Sequence, residues 1–402
     1  MGYNPDDGLS MAEGELVALV YNPDLRIARL QIGIAGAHAQ YAGQWMDPEF
    51  SLDFLSSSEN GSNPLVISAG LGITIPISGR LGVEKDQANA ALSVEYKRVI
   101  EEEWRVRRDV QRVWMSWSAA HTRVAESERF IASMDSLVGS ILKLADAGEM
   151  PRTEASLFVI EQAMQRLDLN RFRGEMTELS QEIRMLLGLP PELHIDFVPD
   201  LNVDILSALS NADRGALEIL NPTLARLRMQ YEVAELRLKR EIKKQIPDLT
   251  IGPLYESDDG QSQIGLTGAI PLPFLNANRQ GIAEARADRE LARAKFETEF
   301  VRLAGSLAAA RLKAQTVRAQ HEEMIDEMIP LVDNQLENAQ RLLKLGEGGG
   351  LVLLESLVRS QETKMKLIDI RLDEAVVASE LAYLVGPKQN QPPQHSNTEV
   401  TP

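Results

Sequence analysis

The sequence contains no cysteine, which excludes disulfides, thiolate metal sites and a cysteine nucleophile. It is also short of cations: 42 Lys and Arg stand against 59 Asp and Glu, giving a formal net charge of −17. No basic stripe with interleaved aromatics is present to neutralise a phosphate backbone, so nucleic acid is not an expected partner. No apolar run reaches the roughly 18 residues of a membrane-spanning helix. The start, MGYNPDDGLS, lacks the basic opening and apolar core of a signal peptide. An exported form is therefore expected to have lost its targeting segment. The tail from Lys388, KQNQPPQHSNTEVTP, is polar and proline-rich, and disorder is expected there.

Catalytic signatures are missing as well. His38, His121, His194, His321 and His395 are scattered, and HEEMI at His321 lacks the second histidine of a zinc-binding helix. GEGGG has no following Lys-Ser/Thr for a phosphate loop, and no G-x-S-x-G occurs. The reading is a non-enzyme with no cofactor and no metal site.

What is present is a duplication. Asn22 in NPDL and Asn221 in NPTL, Pro48 and Pro247, Pro76 and Pro271, Gly148 and Gly346, and Gly188 and Gly386 form five ordered pairs, each about 200 residues apart. The expected organisation is an N-terminal segment 1–21, a first repeat 22–189, a connector 190–220, a second repeat 221–386 and a disordered tail 387–402. Each repeat reads as a helix, a β-hairpin (about 48–77; about 247–273), a long helix (80–146; 279–345), a glycine turn and a return helix (152–188; 351–385).

The first long helix has no proline from Arg80 to Asp146 and would be a rod of roughly 100 Å. Val110, Trp117, Val124, Ile131, Val138 and Ala145 recur every seven residues, with Val113, Ala120, Ser127, Met134 and Ile141 between them. The second rod carries Leu303, Leu307, Ala310, Ala314, Val317, Met324, Met328 and Leu331 at the same 4-3 spacing, interrupted by His321. This is a closely packed coiled-coil seam, and each rod is expected to turn back as an antiparallel hairpin. An ordinary four-helix bundle would explain the helices but not their length.

Against this helical background stands LVISAGLGITIPI at Leu65–Ile77, whose odd positions are apolar and whose even positions are mostly small or polar. Period two is the signature of a strand. Three more strands alternate likewise: Phe50, Leu52 and Phe54; Leu249, Ile251, Pro253 and Tyr255; Ile264, Leu266 and Gly268. Strands of about 10 residues with one apolar and one polar face suit a transmembrane barrel. Glu49, Asp53 and Asp248 on the polar side fit a water-filled lumen rather than a dry core. Four strands cannot close a barrel, so either several chains share one or the strands pack on protein as a soluble β-sandwich. Sparse aromatics (Trp45, Phe50, Phe54, Tyr255 and Phe274) make at best a thin interfacial girdle.

The two copies of helix, hairpin, rod, glycine turn and return helix, over about Leu9 to Gly386, resemble the TolC-like outer-membrane efflux proteins. The matching stretches are ALVYNPDLRIAR, IPISGR, LADAGEMPRTEASLFVIEQA before LLGLPPE, and MIPLVDNQLENAQRLLKLGEGGGLVLLESLVRSQ before AYLVG. Pro330 should kink the second rod, and a proline there looks like the heavy-metal and small-solute branch.

The resemblance implies a mainly α protein with transmembrane β structure. As a homotrimer it would give twelve strands in one barrel and twelve helices in a periplasmic tunnel. It implies an outer-membrane exit duct of a tripartite efflux or type I secretion-like system, passive itself, linked through a periplasmic adaptor to an inner-membrane pump, most simply of the RND type. Leu65, Ile67, Leu71, Ile73, Leu249, Ile251, Ile264 and Leu266 would face outer-membrane lipid. Ala147, Gly148, Glu149, Leu345, Gly346 and Glu347 would be adaptor-contacting tips. Glu154 and Glu355 would be tunnel-entrance acids forming a cation-binding constriction. The chain departs from the family in three places: Val352 stands opposite Glu154 in the second copy, and Ala145 and Leu343 replace the tip tyrosines. A soluble coiled-coil scaffold without a pore is the competing reading. A periplasmic adaptor is disfavoured, because it predicts one helical hairpin rather than a clean duplication.

Overall fold

The computed structural model describes residues 8–56, 65–202, 204–258, 261–345, 347 and 349–387. The tail from Lys388 and most of the turn SSSENGSN lie outside the described residues. The chain divides into two compact units. One holds the described residues of Met1–Arg26, Glu101–Asn221 and Val301–Pro402; the other holds Ile27–Ile100 and Pro222–Phe300.

In chain order the elements are α1 (Met11–Tyr21), α2 (Pro23–Tyr41), β1 (Glu49–Ser56), β2 (Leu65–Ile75), α3 (Arg80–Asp146), α4 (Arg152–Leu186), α5 (Ile205–Asn211), α6 (Arg214–Leu220), α7 (Pro222–Lys243), β3 (Leu249–Asp258), β4 (Gln261–Ala269), α8 (Arg279–Glu323), a π-helical turn (Met324–Met328), α9 (Ile329–Lys344) and α10 (Gly350–Val385). Helix α1 occupies the segment given no element in the sequence reading. Its start is a capping box, with Ser10 Oγ accepting from the Glu13 N–H and the Glu13 carboxylate accepting from the Ser10 N–H. That S-x-x-E spacing is a sequence-level signal of a helix N-terminus.

In the larger unit the heptad of α3 is the core. All six of its every-seventh residues, Val110 to Ala145, are at most 9% exposed, and so are Val113, Ala120, Ser127, Met134 and Ile141. The second seam is buried from Leu303 through Val317 and Met324, then fails: Met328 and Leu331 are 40% and 65% exposed. The buried positions move to Val332 and Ala339, one residue later than the heptad requires. The π-helical turn causes this shift, because a single π turn inserts one extra residue into the hydrogen-bond ladder. It stands immediately before Pro330, which has no N–H to donate and whose ring crowds the preceding turn. The expected proline irregularity therefore takes the form of a π turn, and the seam downstream changes register.

The duplication is visible in atomic detail where each repeat begins and ends. Asn22 and Asn221 are both buried. Asn22 Nδ2 donates to the Leu186 carbonyl at the end of α4, and Asn221 Nδ2 donates to the Leu384 carbonyl at the end of α10. Asn22 Oδ1 also accepts from the Asp24 and Leu25 N–H groups, capping α2. Each asparagine thus ties the start of its repeat to the last turn of the repeat's return helix. The glycines ending those helices, Gly188 (φ +67) and Gly386 (φ +104), sit tightly against this clasp. A Cβ at Gly188 would lie 2.3 Å from the Tyr21 carbonyl oxygen, and one at Gly386 would lie 2.4 Å from that of Leu220.

The clasp yields a contrast. Gly188→Ala pays for both a left-handed backbone and a backbone clash, and should lower unfolding stability by about 3 kcal/mol or more. Gly148→Ala has the same handedness (φ +77) but open space around it, and should cost only about 1–2 kcal/mol. Denaturant unfolding of the purified protein measures both; equal losses would contradict the clasp.

Candidate functional site

The smaller unit carries one antiparallel sheet in the order β1-β2-β3-β4, so the hairpins of the two repeats join through β2 and β3. The pairing decides which side chains share a face. Phe54 pairs with Ile67, Ile67 with Ser257 and Ser257 with Ser262; Phe50 pairs with Leu71; Ile73 pairs with Ile251 and Ile251 with Gly268. Tyr255 pairs with Ile264, Pro253 with Leu266, and Ile75 with Leu249. All four apolar phases read from the sequence therefore fall on one face, and Leu65 is placed there by its backbone position. Among the described residues nothing covers that face: Phe50 is 69% exposed, Ile264 85% and Leu266 87%.

The opposite face holds Glu49, Ser51, Asp53, Ser68, Gly70, Thr74, Thr250, Glu256, Gln263 and Thr267, interrupted by Leu55, Val66 and Leu254. One transverse row runs Asp53–Ser68–Glu256–Gln263, and Thr74 and Thr250 bond across β2 and β3 at 2.9 Å. No Lys or Arg stands on any of the four strands. Among the described residues of the strands, charge on this face is therefore acidic.

At the base of the sheet, within the same unit, an acid is fully answered. Burial alone would push the Glu241 carboxyl up, but hydrogen bonds from Lys244, Asn278 and Arg240 outweigh it and hold the group at about 2. Asn278 reaches it with φ +51, and Arg80 is paired with Asp248 at 2.7 Å. These contacts fix the chain where it enters β3 and leaves β4.

The helical turns lie in the larger unit. After α3 the chain reverses through Gly148, with the Glu149 N–H donating to the Leu144 carbonyl and the Gly148 N–H to that of Ala145. This is the double bond of a Schellman cap. After α9 the Glu347 N–H donates to the Leu342 carbonyl, the counterpart of the Glu149 bond. Ala147, Gly148, Glu149 and Glu347 are exposed, and Leu345 is 66% exposed. Gly346 lies outside the described residues.

Glu154 has a partner that the sequence reading missed. Its Oε1 accepts from the Leu351 N–H at 2.9 Å, in the first turn of α10. That helix has Gly349 at its N-cap and no side-chain cap of its own. Glu154 therefore caps α10 from α4, joining the two hairpins beside their turns. Gly350 leaves the necessary room, since a Cβ there would lie 2.7 Å from Glu154 Oε1. A carboxylate at a helix N-terminus satisfies a free N–H and meets the positive end of the helix dipole. Glu355 is exposed and shares none of this. Sequence spacing alone carries no signal for a cap supplied from about 200 residues away.

His321 Nδ1 lies 2.9 Å from Glu374 Oε2, which accounts for the polar break in the second seam. Among the described residues no group of three or more His, Asp or Glu is placed to hold a metal ion, and no helix is long and apolar enough to cross a membrane.

Searches for likeness divide between sequence and structure. No known family's sequence profile matches the chain, and no curated protein is significantly similar to it. Solved structures are similar over nearly the whole chain. VceC, an outer membrane protein of Vibrio cholerae, is 14% identical with TM-score 0.76, covering 94% of this chain and 96% of its own. The CmeC outer membrane channel of Campylobacter jejuni is 14% identical with TM-score 0.76, covering 96% and 88%. CusC, described for its transmembrane channel formation, is 14% identical with TM-score 0.76, covering 96% and 95%. What these structures share with the chain is the fold: long helical hairpins and one four-stranded antiparallel sheet. That fold is the TolC-like one that the duplicated sequence markers led us to expect.

The cap on α10 is open to direct test. Glu154→Ala should speed amide exchange at Leu351 on the order of fivefold, the equivalent of about 1 kcal/mol for a lost cap. Glu355→Ala should leave that amide unchanged. Equal exchange in Glu154→Ala and the parent protein would contradict the contact.

Proposed function

We propose that this chain is one subunit of a homotrimeric exit duct in the outer membrane of a Gram-negative-type cell. The observation that carries this reading is the sheet: among the described residues one face is apolar, uncovered and continuous over four strands, the charges on the other are acidic, and the outer edges of β1 and β4 have no partner strand. Lipid would cover the first face, water would fill the space against the second, and two further copies would satisfy the edges. Three chains then share a twelve-stranded barrel, and their α3, α4, α8–α9 and α10 helices line a periplasmic tunnel.

In this reading solutes move passively, and energy comes from an inner-membrane pump, of the RND type, coupled through a periplasmic adaptor. The adaptor would meet the exposed turns at Ala147–Glu149 and Leu345–Glu347. Glu355 and the capped Glu154 would stand at the tunnel entrance. Asp53 and Glu256 would add acids inside the barrel, favouring cations over anions along the whole path. The chain does no catalysis of its own, and the transported solute is set by the pump and adaptor.

The assignment of faces is tested by a pair of substitutions on neighbouring residues of β4. Leu266→Arg, on the face given to lipid, should cost about 2–4 kcal/mol of membrane stability and sharply reduce the recovered trimer, scored by light scattering in detergent. Thr267→Arg, one residue on and facing the lumen, should leave the trimer intact. Equal tolerance of both, or a particle of one chain in the parent protein, would overturn the reading in favour of a soluble scaffold.

A further inference from the structure

The duplication makes the inner seam of the sheet a template for its outer edges. At the inner seam β2 of the first repeat meets β3 of the second, with Thr74 opposite Thr250 and Ile75 opposite Leu249. Beneath the last of these pairs an ion pair joins the same two repeats. Arg80, the first residue of α3, lies 2.7 Å from Asp248, the residue before β3, and both side chains are largely buried. Arg80 also reaches Glu84, one turn along its own helix.

The second repeat carries the same arginine without either partner. Arg279 is the first residue of α8 and stands 199 residues after Arg80, the interval that also separates Pro48 from Pro247 and Glu49 from Asp248. Ala283 takes the place of Glu84. Glu49 takes the place of Asp248, but β1 is the far edge of the sheet, with β2 and β3 between it and β4. Arg279 and Glu49 are both exposed, and among the described residues neither makes an ion pair. A cation in the first turn of a helix meets the positive end of its dipole, and α8 has no acid in that turn to offset it. Within one chain the counterparts of Arg80 and Asp248 are thus a matched pair held apart, each at the base of an unpaired edge.

We infer that Arg279 of one copy pairs with Glu49 of the next, beneath a seam in which β4 meets β1 in the register of β2 with β3. This contact rests on the shared-barrel reading and fixes the strand register which that reading leaves open. The strand ends repeat at an interval of 195, as Pro76 and Pro271 do, so Thr74 maps onto Ala269 and Ile75 onto Ile270. On the other strand Thr250 maps onto Ser51 and Leu249 onto Phe50. The seam then sets Ala269 opposite Ser51 on the polar face and Ile270 opposite Phe50 on the apolar one, so no strand turns its apolar set around. The four extra residues between Pro271 and Arg279 are taken up in the turn where Ala277 and Asn278 adopt φ +46 and +51. The equivalence is confined to the base of the sheet. Higher up, Gly252, where the Leu71 carbonyl leaves no room for a Cβ, corresponds to Asp53.

The absence of cysteine from the chain makes the test direct. Ser51→Cys/Ala269→Cys, oxidised in detergent micelles, should give chains linked to one another on a non-reducing gel, while each single variant runs as one chain. Thr74→Cys/Thr250→Cys should bridge within a chain, since those hydroxyls already meet at 2.9 Å. A trimer that links instead through Ser51→Cys/Thr267→Cys, two residues out of register, or through neither pair, would overturn the seam and leave the duct reading standing. A parent protein that light scattering finds as a single chain would overturn both. Arg279→Glu should raise the fraction of free chain about tenfold at fixed protein and detergent concentration, because it sets like charges against each other. The swap Glu49→Arg/Arg279→Glu should restore most of the trimer. A swap as dissociated as Arg279→Glu alone would overturn the ion pair.

Discussion

Among the described residues, a four-stranded sheet with an apolar face open over its whole width, and with no partner strand outside β1 or β4, leaves its backbone and its side chains unfinished at once. Every N–H and C=O on the outer edges needs a partner, and Phe50, Ile264 and Leu266 need an apolar surrounding. The duplication brings the sheet to this point. Each repeat supplies one hairpin, β2 and β3 pair across the repeats, and the common register places four separate apolar phases on one side. A slip of one residue anywhere would have turned a strand's apolar set to the other face. In the proposed duct, further copies of the same chain supply the missing edges.

The helical part solves a different problem with the same economy of design. A long rod that reverses must be held where it leaves and where it returns. Asn22 and Asn221 do this by capping the first turn of a repeat, or standing at it, while donating to the last carbonyls of that repeat's return helix. Gly188 and Gly386 let the chains approach closely enough for that bond. Beside the turns, Glu154 adds a tie between hairpins of opposite repeats. Side chains that look like punctuation in the sequence thus become the joints of the fold.

Much of this was legible beforehand, because burial followed periodicity. The α3 heptad from Val110 to Ala145 is buried throughout, and the strand phases hold on all four strands. The failures are equally physical. Met328 and Leu331 lie on the exposed side because the π turn before Pro330 adds a residue that no heptad count contains. Helix α1 falls in the N-terminal segment, where its only sequence signal is the capping box of Ser10 and Glu13. The role of Glu154 as a cap is invisible in the sequence, since a cap contributed from another repeat depends on tertiary packing. The acid-only polar face of the sheet was half seen in Glu49, Asp53 and Asp248, while the row joining Asp53 to Glu256 needed the strand register.

The central claim is that copies of this chain close one water-filled barrel, and single-channel recording after reconstitution into a planar bilayer tests it most directly. The account predicts insertion and discrete conductance steps, with a reversal potential under a salt gradient that reports cation preference. Protein that stays in the aqueous phase and gives no steps, or steps that prefer anions, would contradict it.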